Sequence, residues 1–278
     1  MKALFDQIST TTSKNITRAY STSFSLGILF LEKRFRTPIY SIYGFVRIAD
    51  EIVDTFHDYP KEDLIARFRE DTIIAIEQKI SLNPILNAFQ QVVHDYNIEW
   101  ELIDKFLISM EMDLDDQVYS RDKYEDYIFG SAEAVGLMCL RVFAEGNTEQ
   151  YDNLVPAARK LGAAFQKVNF LRDLRADFEG LERSYFPGID LNHFTQKDKE
   201  LIQAEIAEDF RLALEGIRSL PKSSRRGVYL AYVYYQRLFK KICKTQPEEV
   251  METRIRIPNA TKMSLMFQSL LRHQMNLL

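Results

Sequence analysis

Apolar residues recur every three to four positions along almost the whole chain, the spacing of helices with one buried face. The segment 61–78 shows it plainly, with Leu64, Ile65, Phe68, Ile73 and Ile76. Thr37 and Pro38 pair an N-cap residue with proline at the first helical position, a helix-start signal. From there the pattern runs through Ile39, Ile42, Tyr43, Val46 and Ala49 to Val53. Asn83-Pro84 closes one helix and opens the next. The same period predicts helices over 84–95, 99–119, 121–144, 148–180, 195–219, 225–244 and 260–277. No apolar/polar alternation lasts long enough for a strand. Pro187-Gly188 marks a turn inside a loop expected from Gly180 to Asn192. Without repeats, linkers or low-complexity tracts, the expectation is one all-α domain over residues 1–278.

Composition narrows the function classes. The chain carries 36 basic and 40 acidic residues, a net charge of −4. That lacks the basic excess of a nucleic-acid binder and leaves acidic clusters available for cations. Cys139 and Cys243 lie in apolar helical surroundings and read as reduced, buried thiols. The opening MKALFDQIST has no apolar signal-peptide stretch. The longest apolar run, Leu26 to Leu31, is far short of the ~20 residues that span a bilayer. A soluble, cytoplasmic protein is expected. The basic, amphipathic segment 254–272 reads as a last helix packed on the core, with peripheral contact to the inner face of the membrane as the alternative.

Aspartates four apart occur as Asp50/Asp54, Asp54/Asp58, Asp122/Asp126 and Asp173/Asp177. On a helix this spacing puts two carboxylates one turn apart, usually on a wet face. Asp122 and Asp126 sit among Arg121, Lys123 and Glu125, an ordinary surface. Asp58 falls past a helix end. Asp50 and Asp54 differ, because Tyr43, Arg47, Asp50 and Asp54 form one stripe closing an aromatic, apolar run. Gln166, Asn169, Asp173 and Asp177 form a second stripe beside Phe165, Val168, Leu171 and Leu174. Such carboxylates suit Mg²⁺, which takes one or two of them together with substrate phosphates. Arg47, Arg172, Arg175 and Arg183 stand close by to clamp phosphate oxygens. The four histidines show no metal spacing, and no nucleophile–base order suggests a hydrolase.

Four blocks resemble the squalene and phytoene synthases: Ser21-Thr22-Ser23-Phe24, IYGFVRIADEIVD (42–54), YIFGSAEAVGLM (127–138) and QKVNFLRDLRADFEGLERSYFP (166–187). The resemblance covers roughly residues 15–265. It implies a single all-α isoprenoid-synthase bundle around a central cavity. It implies that Asp50, Asp54, Asn169, Asp173 and Asp177 hold Mg²⁺, or Mn²⁺, with the diphosphate. Ser21, Phe24, Arg47, Arg172 and Arg183 would bind substrate, and Tyr43, Tyr127, Gln166 and Asn169 would line the chamber. Tyr234 matches a late family tyrosine. The implied reaction joins two isoprenyl diphosphates head to head through a cyclopropyl diphosphate. Two geranylgeranyl diphosphates giving phytoene, the first step of carotenoid synthesis, is the favoured form, and no NADPH is needed. A C15-specific dehydrosqualene or squalene synthase is the alternative, and a non-catalytic assembly factor of the same fold is the alternative of another class. Glu133 departs from the small neutral residue of many relatives. Asp113 aligns loosely, and Glu51 points about 100° from Asp50.

Overall fold

The computed structural model describes residues 1–114, 119–181 and 185–255, with backbone alone over 175–181. Every regular element among them is helical. In chain order these are α1 (Lys2–Tyr20), α2 (Thr22–Leu29), α3 (Lys33–Asp54), α4 (Lys61–Gln78), α5 (Pro84–Asp95) and α6 (Trp100–Met112). They continue with α7 (Arg121–Ile128), α8 (Ala134–Ala144), α9 (Thr148–Leu181), α10 (Gln196–Ser219), α11 (Lys222–Lys244) and α12 (Pro247–Glu252).

Helices α4 and α5 match the sequence periodicity residue for residue, and Asn83 caps α5 by accepting from the Ile85 amide at 3.0 Å. Three expectations need correction. Helix α3 begins at Lys33, not at Thr37, so Pro38 lies inside it. Phe35 is fully buried with its ring edge-on to Phe143 at 5.7 Å, and that burial outweighs the one backbone bond proline removes. Helix α6 stops at Met112, because Asp113 turns inward to meet Tyr127 and Tyr185. Gly180 and Leu181 belong to α9 rather than to the loop. The stretch 260–277 lies outside the described residues.

Helix α1 escaped the apolar pattern because its inner face is Ser9, Ser13 and Thr17, all fully buried. Each hydroxyl donates to the carbonyl one turn back, so no polar group is stranded. The small side chains let α3 come close. A Cβ on Gly44 would stand 3.0 Å from the Ser13 Cβ.

Residues 121–144 form one rod broken by a π-turn, Phe129–Glu133. A Cβ on Gly130 would lie 2.3 Å from the Lys105 carbonyl, so only glycine lets α6 pack there. The rod contains a stretch apolar enough to cross a membrane, yet 56% of that window is buried in the protein, which marks a core helix.

Two apolar cores result. One gathers α2 to α6, α8 and the start of α9, with Phe45 stacked on Phe89 at 3.9 Å. The other gathers α7, the second half of α9, α10, α11 and α12. On its outer side α9 is fixed to α10 by buried Lys167, which bridges Asp209 at 2.6 Å and Glu205 at 2.5 Å. The inner side of α9 faces the seam between the cores.

Candidate active site

A cavity of about 230 Å³ occupies that seam. Helices α2, α3, α8, α9, α10 and α11 and the π-turn all contribute to its wall, and among the lining residues only Ser131 and Gln166 have oxygen-bearing side chains. The π-turn presents Ser131 and Ala132 to the cavity, while Ser131 Oγ donates to the Tyr127 carbonyl at 2.7 Å. Along α9 the lining runs from Leu154 to Gln166, ~18 Å at the helical rise. The size and apolar lining of this space suit a long apolar chain.

At the Gln166 end the polar stripes begin. On α3, Arg47 donates to Asp50 and to Glu51 through its two Nη groups, and its guanidinium lies over the Tyr20 ring at 4.3 Å. Glu51 is thus an internal partner of Arg47. Burial, reinforced by the neighbouring Asp54 carboxylate, pushes the Asp50 carboxyl up to about 7. Arg47 Nε is buried with no acceptor among the described residues.

On α9, Asp173 takes two cations. Arg172 Nη2 reaches it at 2.5 Å, and Arg254, 81 residues further on, pairs with it at 2.7 Å. Asn169 Oδ1 accepts from the Tyr235 hydroxyl at 3.4 Å, and the Tyr235 ring stacks on Phe165 at 3.9 Å. Asp177 lies on the same helix, though its side chain and the whole of Arg183 are outside the described residues.

Other expected site residues take three different places. Ser21 caps α2, accepting from the Phe24 amide at 3.1 Å, and shares a side-chain hydrogen bond with Tyr43. The Phe24 ring lies 5.0 Å from Tyr43 and lines the cavity, as does Gln166. Burial raises the Tyr43 hydroxyl pKa, with the Asp50 carboxylate and then nearby Tyr235 adding to the effect. Tyr127 sits outside the lining: its hydroxyl donates to buried Asp113 at 2.9 Å among Tyr119, Phe170 and Tyr185. Tyr234 meets Tyr235 edge-on at 5.5 Å and adds to the field on Arg172.

Tyr235, which the sequence reading passed over, makes the Asn169 contact. No local sequence signal marks it: Tyr235 lies one turn beyond Ala231, which lines the cavity with Gly227 and Val228, and that phase appears only in the fold. Glu133 is accounted for as well. It pairs with Arg159 of α9, whose guanidinium covers the Phe129 ring at 5.0 Å, so it braces the π-turn and leaves the site alone.

Among the described residues no three His, Cys, Asp or Glu side chains converge on one point. Each stripe alone is too sparse to cage a metal, which is how Mg²⁺ usually sits, completing its shell with phosphate and water. The all-oxygen donors, the two crowded carboxylates on α3 and the orphaned Arg47 N–H fit a divalent cation bound with a diphosphate.

The family model described as squalene/phytoene synthase matches residues 17–261. The chain belongs to the squalene/phytoene synthase family. Head-to-head condensation of prenyl diphosphates is the chemistry this family supports. The family member shares 34% identity over 198 residues with the presqualene diphosphate synthase of Sinorhizobium fredii, 68% of this chain and 67% of that one. It is 26% identical over 200 residues to the 4,4'-diapophytoene synthase of Staphylococcus haemolyticus, 70% of this chain and 67% of that one. Against the phytoene synthase of Arthrospira platensis identity is 26% over 278 residues, 90% of this chain and 88% of the other. A crystal structure of a dehydrosqualene synthase with ligand superposes with a TM-score of 0.80 at 20% identity, covering 97% of this chain and 98% of that one. That last likeness is one of fold.

Proposed function

We propose that the protein condenses two prenyl diphosphates head to head, with geranylgeranyl diphosphate as substrate and phytoene as product. The observation that carries the reading is an apolar cavity that reaches Gln166 of the α9 stripe and whose lining residue Phe24 packs on Tyr43 of the α3 stripe, each stripe already bearing an arginine. Asp50, Asp54, Asn169, Asp173 and Asp177 would hold Mg²⁺ or Mn²⁺. When bound, the metal neutralises charge on the departing diphosphate. Arg47, Arg172 and Arg183 clamp the remaining diphosphate oxygens, and Ser21 contacts them from the start of α2. Breaking the C1–O bond of one substrate leaves an allylic cation. Tyr43, Phe24, Phe165 and Tyr235 present ring faces to it, and the apolar walls keep water away. The second substrate's double bond attacks, a proton is lost and a cyclopropyl diphosphate forms. It ionises in turn, rearranges and loses a proton, so no reductant is consumed.

A farnesyl-specific enzyme is the second reading, favoured by the similarity to a 4,4'-diapophytoene synthase and a presqualene diphosphate synthase. Because the product is a hydrocarbon, we place the reaction in the cytoplasm beside the inner face of the membrane. Incubation with Mg²⁺ and either diphosphate, without NADPH, followed by mass analysis tests the reading. A C40 product supports the first form and a C30 product the second. No product from either substrate with folded protein sinks both.

A further inference from the structure

The cavity has a back wall one residue thick. Leu154, Ala157 and Gly216 line it, and the same three line an open groove between the start of α9 and the end of α10. Among the described residues no other is shared by the two spaces. At this point the helices touch: a Cβ on Gly216 would fall 2.2 Å from the Ala157 Cβ. Leu154 is buried and supplies the only sizeable side chain of the three. Beyond the wall the surroundings become more polar, because Asn147, Glu149, Asn153, Lys160 and Glu215 rim the groove. Leu154 stands 19 residues before Asp173 on α9, so the wall is ~28 Å along the helix from the carboxylate end.

We propose that Leu154, Ala157 and the bare backbone of Gly216 set the longest prenyl tail the enzyme accepts. This rests on the prenyl-transfer reading above. A diphosphate fixed at the carboxylate stripes makes the cavity a ruler read from that end. A tail that reaches the wall is fully desolvated. One isoprene unit more must displace Leu154 into a solvent-open groove rimmed by charged and amide side chains, where its carbons are less fully buried than in the cavity. The limit is therefore set by the volume the wall leaves and by the poorer burial beyond it.

The test uses the full chain with Mg²⁺ and farnesyl, geranylgeranyl or geranylfarnesyl diphosphate. Leu154→Ala and the milder Ala157→Gly open the wall. Leu161→Ala enlarges the same cavity without reaching the groove. Both wall variants are expected to raise kcat/KM for the substrate one isoprene unit beyond the wild-type limit by at least ~10-fold relative to the wild type's best substrate. Leu161→Ala leaves the limit in place. Thermal shifts with unreactive thiolo-diphosphates of the same three tails should follow the same order, which keeps the test open for a variant that binds but turns over poorly. An unchanged limit in both wall variants overturns the inference, as does an equal change in Leu161→Ala. A wild type that neither releases diphosphate nor binds any of the three tails overturns the prenyl-transfer reading itself, and the wall with it.

Discussion

At the scale of single residues, Asp50 is the group most out of balance. Its carboxyl titrates near 7 because burial and Asp54 both oppose its charge. A carboxyl raised in the folded state costs stability when ionised. The metal-free protein should therefore gain stability as pH falls through about 7 towards the ordinary carboxyl value of 3.8, and Asp50→Asn should remove that gain. Full burial would make the effect ~4 kcal/mol. With 32% of the side chain exposed, about 1–2 kcal/mol is expected, read from chemical denaturation at pH 5 and pH 8. Binding of Mg²⁺ competes with the same proton, so its affinity should climb with pH up to about 7 and then level off. A flat titration of metal affinity would contradict the assignment of Asp50 as a ligand. Tyr235→Phe removes one hydrogen bond to Asn169 while keeping the stack on Phe165. A loss of about 3–10-fold in kcat with unchanged melting is expected, the worth of one neutral hydrogen bond. The stripes on α3 and α9 were legible because they repeat at 3.6-residue spacing. Tyr235 against Tyr234 was not, since adjacent residues differ by only 100° and the phase of α11 is set by Gly227, Val228 and Ala231. The Arg254 contact with Asp173 spans 81 residues and leaves no local trace.

Among the elements, α9 carries the second aspartate stripe and also lines the cavity at Leu154 and Ala157, so whatever fixes it fixes the candidate site. Its outer face is held by Lys167, Asp209, Glu205 and Lys160. Lys167→Met leaves a buried carboxylate with a half-exposed partner, Lys160. The expected cost is ~3 kcal/mol, the low end for breaking a buried pair, because Lys160 still answers Asp209. Equilibrium urea unfolding measures it. A change below about 0.5 kcal/mol, the size of an ordinary surface substitution, would show that the network is ornamental. Helices with apolar faces were read correctly, whereas α1 was invisible because close approach to Gly44 demands serine and threonine on its inner face. The start of α3 and the end of α6 were misplaced because tertiary contacts of Phe35 and Asp113 overrule local signals.

Across the whole molecule, helical periodicity foretold an all-α chain, and the aspartate stripes mark where we propose that a cation and diphosphate bind. The cavity itself was not readable. It lies where two cores fail to merge, and its walls mix glycine, alanine and leucine from six helices far apart in sequence. Any one of those residues looks like ordinary packing. Only their convergence in the fold, next to Gln166 of the α9 stripe, separates this cavity from a filled bundle.

The central claim is the joining of two prenyl diphosphates in this cavity, and stoichiometry tests it most directly. With Mg²⁺ and the better of farnesyl and geranylgeranyl diphosphate, pyrophosphate release and hydrocarbon formation are measured in the same tube. The account predicts two pyrophosphates per hydrocarbon, both lost in Asp50→Ala and Asp173→Ala proteins that melt as cooperatively as the wild type. Release of one pyrophosphate per prenyl alcohol, or activity that survives either substitution, would contradict it.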